Sequence, residues 1–330
     1  MFLGVLLSAK LSALTRRLAS STDDLAMRAL RAHERGGPES LVEEDAAIPS
    51  PGTGDVLVRV HAASFTPTEL DWPSTWIDRA GRDRRPSIPG HEVSGVVSAL
   101  GYGATGLAVG EAVYGLTDWY RDGAAAEYVA VEARNLARKP EQLDHRAGAA
   151  LPMVALTAHQ ALFDHGGLAR GQAVAVLGAA GGVGTFSVQL ARAAGARVVA
   201  VARTWASDML RALGAEVFFD LDGAPLSEMD LIFDLVGGEM LRRACAMVRV
   251  GATVVSAVEN PPVDVNRRGR FFVVEPSRTQ LRQLGDRVVA GELRPVVGAA
   301  WPLREGRAAF EAKHRGGQPG KAVLLVAEES

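Results

Sequence analysis

The feature that most constrains this chain is an apolar run meeting a glycine cluster, Val174-Ala-Val-Leu-Gly178-Ala-Ala180-Gly181-Gly182-Val183-Gly184. A helical pattern follows, with Val183, Phe186, Val188, Leu190 and Ala191 as its apolar positions, and then a second apolar run, Val198–Ala202. Strand, tight turn, helix and strand within about 30 residues outline a βαβ unit whose turn can cradle a pyrophosphate. One glycine permits the turn, one admits the phosphates to the backbone, and one lets helix and strand pack closely. The helix N-terminus then offers N–H groups and the positive end of its dipole. The end of the second strand selects the cofactor. A site for the unphosphorylated dinucleotide wants an acidic residue about 20 residues past the glycines. No Asp or Glu lies between Val174 and Ser207, and Ala202-Arg203-Thr204 stands at that place. A guanidinium suits a 2′-phosphate, so NADPH is the expected cofactor.

The chain has 330 residues, enough for two domains with their own cores. At 48% hydrophobic and 22% charged it reads as an ordinary globular enzyme. A net charge of −2 gives no reason to expect nucleic acid or an anionic membrane as partner; a small-molecule substrate is expected. The single cysteine, Cys245, excludes an intramolecular disulfide and a cysteine-rich zinc site, and it sits in a helical pattern as a structural thiol. Residues 1–26 read as a disordered extension. Their apolar stretch is short and precedes its positive charges, unlike a secretory signal, and a cytoplasmic location is expected.

From 27 to about 146 the texture is β-rich, with Asp55–Ala62, Gly90–Leu100, Gly110–Gly115 and Ala124–Val131 as strand regions between glycine-punctuated turns. After Ala147 strands and helices alternate: strands 173–177, 197–202, 216–219, 231–235, 252–256 and 271–274, helices 183–194, 205–213, 238–247 and 276–290. That alternation predicts a doubly wound parallel sheet. Leu293–Val297 and Lys321–Val326 read as strands returning to the first domain. The expected division is 27–146 with 295–330, and 147–294.

Four blocks resemble the medium-chain dehydrogenase/reductase superfamily, in its zinc-independent quinone oxidoreductase-like branch: Gly90-His-Glu-Val-Ser-Gly95, Gly178–Gly184, Asp230-Leu-Ile-Phe-Asp234-Leu-Val236-Gly-Gly238 and Gly320-Lys321-Ala-Val-Leu324. The resemblance covers 27–330. It implies an α/β fold, a Rossmann doubly wound parallel sheet plus a GroES-like β-rich catalytic domain, with the active site in the cleft between them. It implies a homodimer by analogy. It also implies contacts with the cofactor from Thr157, Gly178, Ala180, Gly181, Gly182, Val183, Gly184, Arg203, Val236, Phe271, Phe272 and Lys321. Zinc-dependent relatives hold their metal with a cysteine, the histidine of Gly-His-Glu and a third Cys or Asp. Here the early loop is Ser64-Phe-Thr66-Pro-Thr-Glu69 and the third region Leu151-Pro-Met153, so His91 stands alone and no metal is expected.

Thr66-Pro67-Thr68-Glu69 occupies the register of the branch's Asn-Pro-x-Asp, which makes Thr66 and Glu69 candidate catalytic residues in altered form. Tyr120 is a candidate proton donor or cleft wall. The loop Asp71–Pro86, with Trp72, Trp76 and four arginines, is a candidate substrate lid or a solvated loop with its indoles packed inward. The reading is an NADPH-dependent, zinc-independent reductase that transfers hydride to a quinone or an α,β-unsaturated carbonyl. An NADPH-binding protein without turnover, or a specialised biosynthetic enzyme of the same fold, are the alternatives.

Overall fold

A computed structural model describes residues 26–327 apart from 265, 317 and 318. The extension expected over 1–26 lies, save for Ala26, outside the described residues. Strands β1 (Ala26–Ala32) and β2 (Leu41–Ala47) pair antiparallel as a two-stranded sheet. Next come β3 (Asp55–Ser64), the short helix α1 (Pro73–Trp76), β4 (Glu92–Leu100), β5 (Ala112–Leu116), β6 (Tyr128–Glu132) and β7 (Leu136–Arg138). In β3 the alternation does its work: Val56, Val58 and Val60 are buried while Arg59 is exposed.

Helix α2 (His145–Ala150) begins at Asp144, whose carboxylate accepts the Ala147 N–H at 2.6 Å, and Pro152 restarts the chain as α3 (Pro152–His159). The alternating half follows: β8 (Ala173–Leu177), α4 (Gly182–Ala193), β9 (Arg197–Val201), α5 (Ser207–Ala212), β10 (Glu216–Phe218), β11 (Leu231–Asp234), α6 (Gly238–Met247), β12 (Thr253–Ser256), β13 (Arg268–Phe271) and α7 (Arg278–Val289). Last are β14 (Val297–Pro302), α8 (Gly306–Arg315) and β15 (Lys321–Leu325).

The six strands β10-β9-β8-β11-β12-β13 form one parallel sheet in that order. Its sequence order reverses beside β8, the first strand, and ligands of such sheets bind outside the carboxyl ends at that reversal. Every residue of β8, β11 and β12 is buried, as helices on both faces require. The second sheet runs β14-β15-β3-β4-β5-β7, with β6 on β3. Strand β15 lies antiparallel to β3, Val323 opposite Ser64, so the last strand among the described residues is built into the early sheet. Tyr114 and Leu116 of this sheet share a core with Leu156, Phe186 and Phe233 of the alternating half.

The structure departs from the sequence-based expectations at three places. The strand expected at 271–274 is β13 at Arg268–Phe271, because only that stretch is in register with β12; Phe272 and Val274 are buried in the core beyond it. The strand expected at 293–297 begins at Val297. Helix α8, where Ala309 and Phe310 are buried, was not anticipated at all.

Candidate active site

The glycine turn builds one half of the site. Gly178 leaves β8 with φ of 80°. Gly181 then caps α4 in an extended conformation, without a side-chain capping bond, so the first N–H groups of the helix are open to a ligand. A Cβ on Gly181 would meet only Gly178 O, at 3.7 Å; a Cβ on Gly184 would lie 2.5 Å from Ala179 Cα. The first position leaves room above the turn and the second lets helix and strand close together, the two properties a pyrophosphate cradle needs. Gly182 touches the β15 region, its notional Cβ 2.9 Å from Val154 Cγ1 and 3.7 Å from Lys321 Cβ. Ala180 and Val183 are partly buried against the core.

Val236 faces the turn from the end of β11, 3.0 Å from a notional Gly178 Cβ. Asp234 fixes it there by accepting the N–H groups of Val236 at 3.1 Å and Gly237 at 3.0 Å and the Ser256 hydroxyl at 2.7 Å. Thr157, in α3, is buried and its hydroxyl has no protein partner, an unspent polar group that fits a bound polar ligand. Arg203 is exposed just beyond β9. The two phenylalanines separate: Phe271 is exposed at the strand end, while Phe272 is a core residue packed on His165 with ring centroids 4.6 Å apart.

The other half is polar and buried. Glu69, expected as a catalytic residue, has no exposed surface; its two oxygens accept the N–H groups of Thr66 and Gly90, each at 2.7 Å. It organises the loop, with both of its oxygens engaged by backbone N–H groups. Full burial outweighs those bonds and the Lys321 charge and pushes its pKa up to about 7. A folded-state pKa above the usual 4.5 means the fold favours protonated Glu69, so this contribution to stability is present below about pH 4.5 and lost as pH rises through 7. Glu69→Gln leaves one oxygen for two N–H donors and is expected to cost about 1–3 kcal/mol near pH 5. The cost shrinks above pH 7, where the wild type bears its own penalty. Urea titrations across that range check both statements.

Lys321, expected to touch cofactor, has its ammonium ion-paired with Glu92 and donating to Thr66 Oγ1 at 3.2 Å. Glu92, fully buried, also accepts the Met153 N–H at 3.1 Å. The backbone of Gly320 bridges to Gly181, so the lysine is anchored directly on the glycine turn. Lys313 donates to Gly320 O at 2.6 Å, and burial together with the Lys321 charge lowers its pKa to about 8. None of these long-range partnerships has a local sequence signal.

Trp72, His91 and Trp119 form an aromatic group. Trp72 is near-parallel to His91 with centroids 6.3 Å apart, and Trp119 meets His91 edge-on at 5.3 Å and Trp72 at 5.7 Å. His91 Nδ1 lies 2.7 Å from Thr117 Oγ1; burial, helped by the Arg84 charge, lowers its pKa to about 3, so it is neutral at physiological pH. Trp119 escaped the sequence reading, although it adjoins Tyr120. Tyr120 itself is exposed, with Arg79 4.9 Å above its ring. Trp76, expected in a substrate loop, is buried in the β-rich core and donates its indole N–H to Leu70 O at 2.8 Å. The loop's four arginines pair with the protein's own carboxylates, Arg79 with Asp118, Arg82 with Asp78, Arg84 with Asp122 and Arg85 with Asp83.

Comparison with known proteins agrees with this architecture. Residues 52–141 match the alcohol dehydrogenase GroES-like domain, and residues 213–324 the zinc-binding dehydrogenase family. The chain is 31% identical over 325 residues to the mitochondrial NAD(P)H oxidoreductase RTN4IP1 of Mus musculus, covering 82% of each. It is 30% identical over 305 residues to 2-methylene-furan-3-one reductase of Solanum lycopersicum, covering 86% of this chain and 74% of that one. The solved quinone oxidoreductase of Coxiella burnetii superposes with a TM-score of 0.83 at 27% identity, over 92% of this chain and 100% of that one.

Proposed function

The chain belongs to the medium-chain dehydrogenase/reductase superfamily, in its quinone oxidoreductase-like branch, and we propose that it is an NADPH-dependent, zinc-independent reductase of quinones or α,β-unsaturated carbonyls. The bound nicotinamide supplies a hydride. The chain binds and orients around it. The open N–H groups of α4 and the space above Gly181 suit the pyrophosphate, Arg203 suits the 2′-phosphate, and Thr157 offers an unpaired hydroxyl. Trp72 and Trp119 supply flat apolar surface for a conjugated substrate, and Thr66 a donor for the oxygen on which charge develops.

The observation that carries the metal-independent part of this reading is the company His91 keeps. Its ring is held by a hydroxyl and two indoles, whereas a catalytic zinc takes three nitrogen, sulfur or oxygen ligands. The one cysteine, Cys245, is buried in α6, and burial pushes its thiol up to about 11. Among the described residues, those around His91 therefore do not fit a zinc centre. We read the protein as a homodimer through the outer edge of β13, where Phe271 and, just beyond it, Val273 are exposed; sedimentation equilibrium tests that association.

Turnover is tested by following NADPH oxidation with a panel of quinones and enones. Tight NADPH binding without oxidation on any of them would leave the non-catalytic alternative standing. The cofactor assignment has its own test. Arg203→Ala removes the one cation proposed to face the 2′-phosphate and is expected to weaken NADPH roughly 10- to 100-fold, as loss of a charge-assisted hydrogen bond would. NADH affinity, read by the same fluorescence titration, should stay as it was. Equal weakening of both cofactors would refute the assignment.

A further inference from the structure

We propose that Thr66 is the proton donor of the reduction and that Lys321, held by Glu92, is the residue that positions and polarises its hydroxyl; this rests on the reading of the chain as a reductase. A threonine hydroxyl has one donor hydrogen and two lone pairs. The Lys321 ammonium donates to Thr66 Oγ1 at 3.2 Å, so it occupies a lone pair and leaves the hydroxyl hydrogen to be donated elsewhere. A positive charge on the oxygen's far side makes that hydrogen more acidic. The geometry is fixed from both ends. Glu69 pins the Thr66 backbone N–H at 2.7 Å, and Glu92 pins the lysine. Both carboxylates are fully buried, whereas Thr66 itself is only partly buried, two residues beyond the end of β3. Lys321 follows Gly320, whose backbone bridges to Gly181, so one strand end ties the donor to the glycine turn.

The step balances as follows. A bound nicotinamide would supply a hydride to the electrophilic carbon of the enone and would itself be oxidised. The C=C electron pair moves toward the carbonyl oxygen to give an enolate. The Thr66 O–H bond breaks toward the enolate while one Lys321 N–H proton moves to Thr66 Oγ1, so threonine ends unchanged and lysine neutral. Lys321 recovers its proton from water after product leaves.

The test compares an enone, whose enolate must be protonated, with an electron-poor benzoquinone, whose hydroquinone anion persists without a proton. Thr66→Val is expected to lower kcat for the enone by about 100-fold or more, the usual worth of a general acid. NADPH affinity should be retained and the quinone rate should fall far less. Thr66→Ser should recover most of the enone rate. The pair Lys321→Met with Glu92→Gln removes the ammonium without stranding a buried charge, and it should reproduce the enone-selective loss in kcat with KM little moved. Enone turnover surviving in Thr66→Val, or equal losses on both acceptors, overturns the assignment. A wild-type protein that oxidises NADPH with neither acceptor overturns the reductase reading itself, and this assignment with it.

Discussion

Lys321→Ala is expected to lower the unfolding free energy by about 3–5 kcal/mol, the scale seen when one partner of a buried ion pair is removed. Glu92 has 0% of its surface exposed and Lys321 7%. With the ammonium gone, the Glu92 carboxylate keeps the Met153 N–H but no countercharge. Burial already holds the Glu92 pKa above its ordinary value, and Lys321 is the main force opposing that rise. Its removal drives the pKa higher, so the fold then favours protonated Glu92. The variant should be least impaired at low pH and lose further stability as pH rises from the usual carboxylate range. Adding Glu92→Gln to a Lys321→Met background should recover most of the loss, since replacing both ions is far cheaper than stranding one. Urea unfolding at several pH values reads all three expectations. A loss below about 1 kcal/mol at neutral pH would show the pair to behave like an exposed one.

The second large effect falls on the cofactor and leaves the fold in place. Gly181→Val puts a branched side chain into the space above the turn, where its nearest protein neighbour is a carbonyl oxygen 3.7 Å away. Stability should change by no more than about 1 kcal/mol, the cost of a poorer N-cap. NADPH affinity should fall by two orders of magnitude or so, because the pyrophosphate can no longer reach the backbone. Gly184→Ala is the opposite case. Its Cβ would sit 2.5 Å from Ala179 Cα, so backbone must move, with an overpacking cost of about 1–3 kcal/mol. Thermal unfolding and NADPH titration on the two variants should therefore give crossed results. A Gly181→Val protein that binds NADPH like the wild type would remove the pyrophosphate from this turn.

The alternating half of the fold was legible because its signals are local. Strand β8 stands at Ala173–Leu177 and helix α6 at Gly238–Met247, the bounds the pattern predicts, since a fully buried apolar run and a 3.6-residue period announce themselves within one segment. Helix α8 stayed hidden among charged residues because only one narrow face is buried, at Gly306, Ala309 and Phe310. The arginine loop was legible as charge but not as pairing: whether Arg84 meets a ligand or Asp122 depends on a residue 38 positions away.

The sequence by itself determined the glycine turn, the family, the solitary His91 and the basic residue beyond β9, because each is a matter of residue type at a short spacing. Only the tertiary structure decided what surrounds them. Thr66 and Lys321 are 255 residues apart in the chain and meet because β15 pairs with β3. Glu69 is a loop organiser because Gly90, 21 residues on, folds back onto its carboxylate. Trp119 reaches His91 from a different strand end. Pairing between distant strands fixes these contacts, and the burial that follows sets the protonation of Glu69, Glu92 and His91, which no local pattern encodes.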